Sequence, residues 1–191
     1  ITPRLAEKLS TVGVVENKPG ASGAIGAQYV ARAAPDGKTL MVGSISEIGI
    51  NPSLYPKLPY DVERDFVAVS PLAATPMMLV VNPASPIKSV KDLLDMARAE
   101  PGKINFGSAG VGSGAHMAAE LFIYATGIKL THVPYKGTGA AVADLVGAQK
   151  DMVMFTTLPS ASAFIRSGQL RPIAVATKQR VASMPDVPTY A

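Results

Sequence analysis

Between Ser89 and Ala176 every strand-like run gives way to a helical pattern, and every helix to another strand, with little chain left over. Such alternation admits few architectures: parallel strands joined by crossover helices, the α/β class. The spacing predicts a helix from Ser89 to Ala99, strand 104–108, helix 115–126, strand 130–133, helix 139–147, strand 151–155, helix 160–167 and strand 171–176. Ser89 is placed to cap its helix with Asp92 as the capping-box partner, and Pro101-Gly102 supplies the stop. Upstream, the pattern predicts a helix over Ile1–Ser10, a strand over Val12–Glu16 and a Gly20–Gly26 turn opening a helix through Ala33. Strands are predicted over Thr39–Val42, Phe66–Ser70 and Met77–Val81, with a short helical turn at Asn51–Tyr55. Met77, Met78, Met152 and Met154 fall on strand patterns and read as core. At 48% hydrophobic and 17% charged, the 191 residues can bury a core, as one domain or as two small lobes.

The turns after the strands carry the functional signal. Gly107-Ser-Ala-Gly-Val-Gly-Ser-Gly-Ala-His116 joins a strand to a helix, where glycines let backbone N–H groups close on a ligand and the helix start adds unpaired donors. Its lining is uncharged, so an anion there is held by the amides of Gly112, Ser113, Gly114 and Ala115 and by the hydroxyls of Ser108 and Ser113, which suits reversible binding. Turns of the same character follow three other strands: Gly43-Ser44-Ile-Ser46, Lys136-Gly137-Thr138-Gly-Ala140 and Thr156-Thr157-Leu-Pro-Ser160. Ligands of open α/β sheets bind beyond the carboxyl ends of strands, so the four turns are expected to converge.

Several function classes fit poorly. The net charge of +4 is scattered, without a basic block, and aromatics are 6%, so no nucleic-acid surface is visible. No run reaches the roughly 18 apolar residues of a membrane span. With no cysteine there is no disulfide or thiolate chemistry, and the compartment stays open. Gly110-Val-Gly-Ser-Gly-Ala115 satisfies a dinucleotide fingerprint, yet where an acid is wanted for the ribose the next strand ends in Pro134-Tyr-Lys136. A nucleotide-dependent enzyme remains the reading from a different class. The imidazoles are His116 and His132, and no G-x-S-x-G frame accompanies Ser113. His116 and Glu120 share a helix face but make only two metal ligands. His116 reads as a cap or a pocket-rim residue, and His132 as a hydrogen-bonded structural one. Glu47 either repels an acid or accepts from a ligand hydroxyl, and Lys136 either attracts an acid or is a surface lysine. No cofactor and no metal are expected.

The order of motifs resembles the periplasmic solute receptors of tripartite tricarboxylate transporters, the Bug proteins. The matching segments are Val14-Val-Glu-Asn-Lys-Pro-Gly-Ala21, Gly23-Ala-Ile-Gly26, Ala34-Pro-Asp-Gly37, Ile50-Asn-Pro-Ser-Leu-Tyr55, Leu58-Pro-Tyr-Asp61 and Asp65-Phe66. They continue with Val80-Val-Asn-Pro83, Pro101-Gly-Lys103, Ser108-Ala-Gly110, Gly112-Ser-Gly-Ala-His116, Thr131-His-Val-Pro-Tyr-Lys-Gly137 and Met184-Pro-Asp-Val-Pro-Thr189. The resemblance implies a two-lobed periplasmic-binding-protein fold, type II like, that closes on a small organic acid, a mono- or dicarboxylate, and hands it to membrane transporter subunits. It implies a carrier rather than an enzyme, and a periplasmic location; a receptor signalling to a sensor kinase is the variant reading. One ligand carboxylate is expected on the loop Ser108–His116, helped by Ser44–Glu47, Tyr135–Ala140 and Thr156-Thr157.

The resemblance also marks departures. The family's first strand and its glycine loop fall before Ile1 and its last helices after Ala191, so the chain reads as a trimmed polypeptide. Only Thr11, Val12 and Gly13 separate the first helix from Val14, where the family has more residues. Thr156 stands where the family often has an aspartate, which favours a plain carboxylate over an amino acid. The expected division is a first lobe over 1–75, completed by 177–191 and by segments outside the chain, and a second lobe over 76–176, with hinges near Thr75 and Ala176.

Overall fold

The computed structural model describes residues 2–147 and 151–190; Ile1 of the predicted first helix and Ala191 of the tail lie outside the described residues. One five-stranded sheet organises the chain from Met77 onward. It is built from β1 (Met77–Val81), β2 (Asn105–Ser108), β3 (Thr131–Pro134), β4 (Met152–Thr157) and β5 (Arg171–Val175), in the order β3-β2-β4-β1-β5. β2 pairs parallel with β3 and β4, as the alternation predicts. β1, in contrast, runs antiparallel to both β4 and β5, so the sheet is mixed rather than parallel. No crossover helix precedes β1, so nothing in its sequence fixes its direction: it enters from the edge where β2, β3 and β4 end.

Helices α5 (Val90–Ala99), α6 (Gly114–Thr126), α7 (Thr138–Val146) and α8 (Leu158–Arg166) cover the sheet. Successive strand residues point to opposite faces. Leu79, Val81, Val153 and Phe155 therefore pack with Leu93, Ala97, Ala119 and Phe122 on one face, while Met78, Val80, Met152 and Met154 pack with Ala141, Leu145 and Ala161 on the other. Burial on both faces accounts for the unbroken apolar run of β1, Met77-Met-Leu-Val-Val81. Ser89 caps α5 through the Asp92 N–H at 3.1 Å. The Asp92 carboxylate reaches back to the Lys88 N–H at 3.0 Å, one residue beyond the usual capping-box target.

Residues before Met77 form α1 (Thr2–Lys8), a turn over Ala21–Gly23 leading into α2 (Ala24–Ala31), a wide helical turn Ser46–Ile50 continuing as α3 (Asn51–Leu54), and α4 (Val62–Asp65). Ala24, Ala27 and Tyr60 are their buried centre, with Met41, Leu58 and Phe66 against it. The strands predicted at Val12–Glu16, Thr39–Val42 and Phe66–Ser70 do not form. A strand exists through its ladder partners, and these runs have none among the described residues, so Val12, Val14, Val42, Val67 and Val69 stand exposed. The tail lies against the sheet. Val187 is buried with Met78 and Val175, Thr189 bridges Val175, and the Tyr190 ring meets Phe122 and Phe155 edge-on.

Candidate ligand-binding site

The parallel order β3-β2-β4 sets three of the predicted turns side by side at one edge of the sheet. The turn after β2 is the most elaborate. Gly110 and Gly112 adopt φ of +123° and +78°, conformations open to glycine, and the chain then enters α6 with Ser113 as N-cap, its hydroxyl accepting from the His116 N–H at 3.2 Å. Three of the four amides expected to hold an anion already have partners. Gly112 N–H donates to His116 Nδ1 at 3.3 Å, Ser113 N–H to the Gly110 carbonyl at 3.1 Å, and Gly114 N–H to Ser46 Oγ at 3.2 Å. Those to His116 and Ser46 are long bonds to neutral acceptors, the kind a carboxylate oxygen replaces with a shorter, charge-assisted one.

Residues from the first part of the chain reach this turn. Besides Ser46, the Ser22 hydroxyl donates to the Val111 carbonyl at 2.5 Å and the Tyr55 hydroxyl donates to the same oxygen at 3.3 Å. Ser22 and Ala21 both hold positive φ, near +48°, a left-handed pair that costs roughly 1–2 kcal/mol per residue. A Cβ on Gly112 would lie 2.6 Å from Leu54 Cδ2, so α3 is seated against a bare backbone. Asn51 is buried, with Nδ2 donating to the Ser22 carbonyl at 3.1 Å and to Tyr60 Oη at 3.3 Å, while Tyr60 donates to the Glu47 carbonyl at 2.8 Å. Ser22 and Tyr60 both need a donor, so the amide orientation is fixed, and Asn51 Oδ1 is left buried without a partner among the described residues. Glu47 faces neither solvent nor ligand alone. Its carboxylate accepts from the backbone and hydroxyl of Ser44, at 2.8 and 2.6 Å, so Ser44 is spent on Glu47.

Under the turn lies a stack of three rings. Phe106, His132 and His116 follow one another, with centroids 4.6 Å apart for Phe106–His132 and 4.2 Å for His132–His116, nearly parallel. His132 Nε2 is 2.7 Å from Ser108 Oγ, which itself accepts from the Gly110 N–H at 3.1 Å. Burial, and secondarily the neighbouring His116, push His132 down to about 4; burial also lowers His116 from its ordinary 6.5, partly offset by Glu120, whose Oε1 is 3.5 Å from Nε2. Both rings are therefore neutral acceptors at neutral pH. His132 holds Ser108, and Ser108 holds the start of the turn.

The remaining predicted residues sit on the flanking turns. Gly137 is the N-cap of α7 at φ +114°, Thr138 opens that helix, and Lys136 is exposed beside them. Thr157 shares a hydrogen bond with Ser160 at 2.8 Å at the start of α8. Thr156 is buried, with Oγ1 unpartnered among the described residues. Ser22 and Tyr55, which the sequence reading did not single out for this site, reach the turn through contacts 89 and 56 residues away in sequence, and Asn51, also not singled out, holds the Ser22 carbonyl from 29 residues away. An open cavity of about 400 Å³ lies elsewhere, lined by Lys18, Ile25, Gln28, Tyr29, Arg32 and Ala33. Its Lys18 is engaged with Glu16 and lies over the Tyr29 ring. Among the described residues no three His, Cys, Asp or Glu side chains are grouped to hold a metal ion.

A mixed α/β sheet with ligand-type turns at the carboxyl ends of its parallel strands is the architecture of the periplasmic binding proteins, and solved members of that class superpose on nearly the whole chain. Residues 1–191 match the family described as the tripartite tricarboxylate transporter family receptor, and the chain belongs to it. Protein BugT of Bordetella pertussis is 38% identical over 188 residues, 98% of this chain and 57% of that protein. A solved R. palustris protein with adipate is 34% identical with a TM-score of 0.94, covering 100% of this chain and 63% of that one. MatC from Rhodopseudomonas palustris, with bound malate, is 33% identical with a TM-score of 0.89, covering 98% and 64%. The chain thus spans less than two thirds of the length of each of these relatives.

Proposed function

We propose that this chain is the greater part of a periplasmic receptor that captures a small dicarboxylate between two lobes and delivers it to the membrane subunits of a tripartite tricarboxylate type transporter. The observation carrying this reading is the turn from β2 into α6, where the Gly112 and Gly114 amides at a helix start are held by exchangeable neutral acceptors, His116 and Ser46. Adipate and malate in relatives that superpose on the chain support the ligand class. The lobes are residues 1–75 and 76–176, with the crossings near Thr75 and Ala176 as the hinge. The tail from 177, expected with the first lobe, runs here beside β5. In this mechanism one carboxylate lodges on the Gly112–Ala115 amides, Ser46, Thr138, Thr156 and Thr157 orient the acid, and closure excludes water. No bond is made or broken in the ligand, and the receptor is not an enzyme.

A thermal-shift series with mono-, di- and tricarboxylates beside NAD and NADP tests it, because a ligand selective for the folded state raises the midpoint with concentration. The expected result is a shift with dicarboxylates that Ser113→Pro abolishes. A shift with a dinucleotide and none with any acid would overturn the receptor reading in favour of the Gly110–Ala115 fingerprint.

A further inference from the structure

His116 occupies an unusual position in the ligand turn. Its own amide is capped by Ser113 Oγ at 3.2 Å, while its ring folds back so that Nδ1 accepts the Gly112 N–H at 3.3 Å. Accepting at Nδ1 puts the ring hydrogen on Nε2, which faces Glu120 Oε1 at 3.5 Å. The ring therefore fills the place an anionic acceptor would take on Gly112.

We propose that His116 is a displaceable cap whose release couples carboxylate capture to the uptake of one proton. Resting on the receptor reading above, the step is an exchange of acceptors. A carboxylate oxygen takes the Gly112 N–H, since a charged acceptor makes the stronger bond. Nδ1 is freed beside a new negative charge, binds a proton from solvent, and donates it back to the carboxylate; no other bond changes. Before capture the ring stays neutral, because burial opposes its charge more than Glu120 favours it. After capture two carboxylates flank it, Glu120 at Nε2 and the ligand at Nδ1, and opposite charges hold the protonated form.

The surroundings limit the uptake to one proton. His132, from β3, lies 4.2 Å behind the ring and is itself held near 4, so a second imidazolium in the stack is opposed. β2 contributes Phe106 and Ser108, which carry no charge. From the first part of the chain come Ser46 and Tyr55, and Glu47 behind them is committed to Ser44. Lys136 follows β3 in an exposed turn. By linkage the acid binds more tightly as pH falls from about 8 towards about 6, up to tenfold per pH unit while one proton is taken up.

The test is titration calorimetry of malate into the protein near pH 6.5, in phosphate and in Tris, whose ionisation heats differ widely. The expected result is an apparent heat that depends on the buffer, corresponding to between half a proton and one proton taken up, and a His116→Asn variant whose heats no longer depend on it. Since the chain has two histidines, their ring signals in NMR give a second readout free of any variant: on adding malate the midpoint of one imidazole rises by about one unit or more. Buffer-independent heats with both imidazole midpoints unmoved, in a protein that binds malate, would overturn the proton coupling and leave the receptor intact. If neither malate nor any other acid binds, the receptor reading falls and takes the coupling with it.

Discussion

Thr156 stands out among the candidate residues because its hydroxyl is buried and makes no hydrogen bond among the described residues. An unmade bond at a buried polar atom costs about 1–3 kcal/mol, and an apolar group of the same shape removes that cost. Thr156→Val keeps the β-branched shape that β4 accommodates. Denaturant unfolding of the unliganded variant is therefore expected to show a gain of about 1 kcal/mol, while dicarboxylate affinity falls at least threefold in the same preparation. A loss of stability would mean that the hydroxyl is satisfied within the fold. Ser113 and Gly112 could be recognised in the sequence because a cap and a left-handed turn are local devices written into neighbouring residues. Asn51 and Ser22 could not, and of His132 the hydrogen-bonded structural role could be read but not its partner, Ser108. Each acts on a partner that only the chain's path brings near, as Ser22 does on Val111, and an asparagine in a short helical turn has no local mark of being buried.

The elements themselves were legible wherever both faces or one stripe are apolar, so α5 to α8 and β1 to β5 fall within a residue or two of their predicted ends. The direction of β1 was not legible, since an apolar run has the same composition in either sense. The pairing of α6 with β3 through the ring stack was equally hidden, yet it sets a pH response. His132 is depressed in the folded protein to about 4 and His116 is also lowered, so the unfolded chain binds protons that the fold refuses. The stabilisation from these neutral rings is whole above the unfolded value of about 6.5 and is lost as pH falls towards 4. Urea midpoints are expected to drop between about pH 7 and pH 5, and His132→Phe, which keeps the stack but cannot titrate, to flatten that drop. An unchanged slope in the variant would place the acid sensitivity elsewhere.

For the molecule as a whole, the asymmetry between its two parts has a physical consequence. The sheet from Met77 onward buries both faces, whereas the runs around Val12, Val42 and Val67 present apolar side chains together with backbone that has no ladder partner among the described residues. Such edges recruit other chains. The 191-residue polypeptide taken alone is expected to bind a hydrophobic dye and to self-associate with rising concentration in light scattering. Replacing Val67 and Val69 with lysine should suppress both without lowering the unfolding midpoint. A strictly monomeric, dye-silent chain would show those runs to be covered in solution.

Where the chain enters and leaves the sheet also matters. β1 and β5 are neighbours, and the Ala176 N–H donates to the Met77 carbonyl at 2.8 Å, so the first and last residues of the unit from Met77 to Ala176 touch. Seen from the N-terminal part, a hundred residues of sheet and helix begin and end at nearly one point, as an insertion does in a host gene. Such a unit can be spliced into, or lifted out of, another polypeptide without moving the ends it is joined to, and two strands running side by side give it a single line about which to turn.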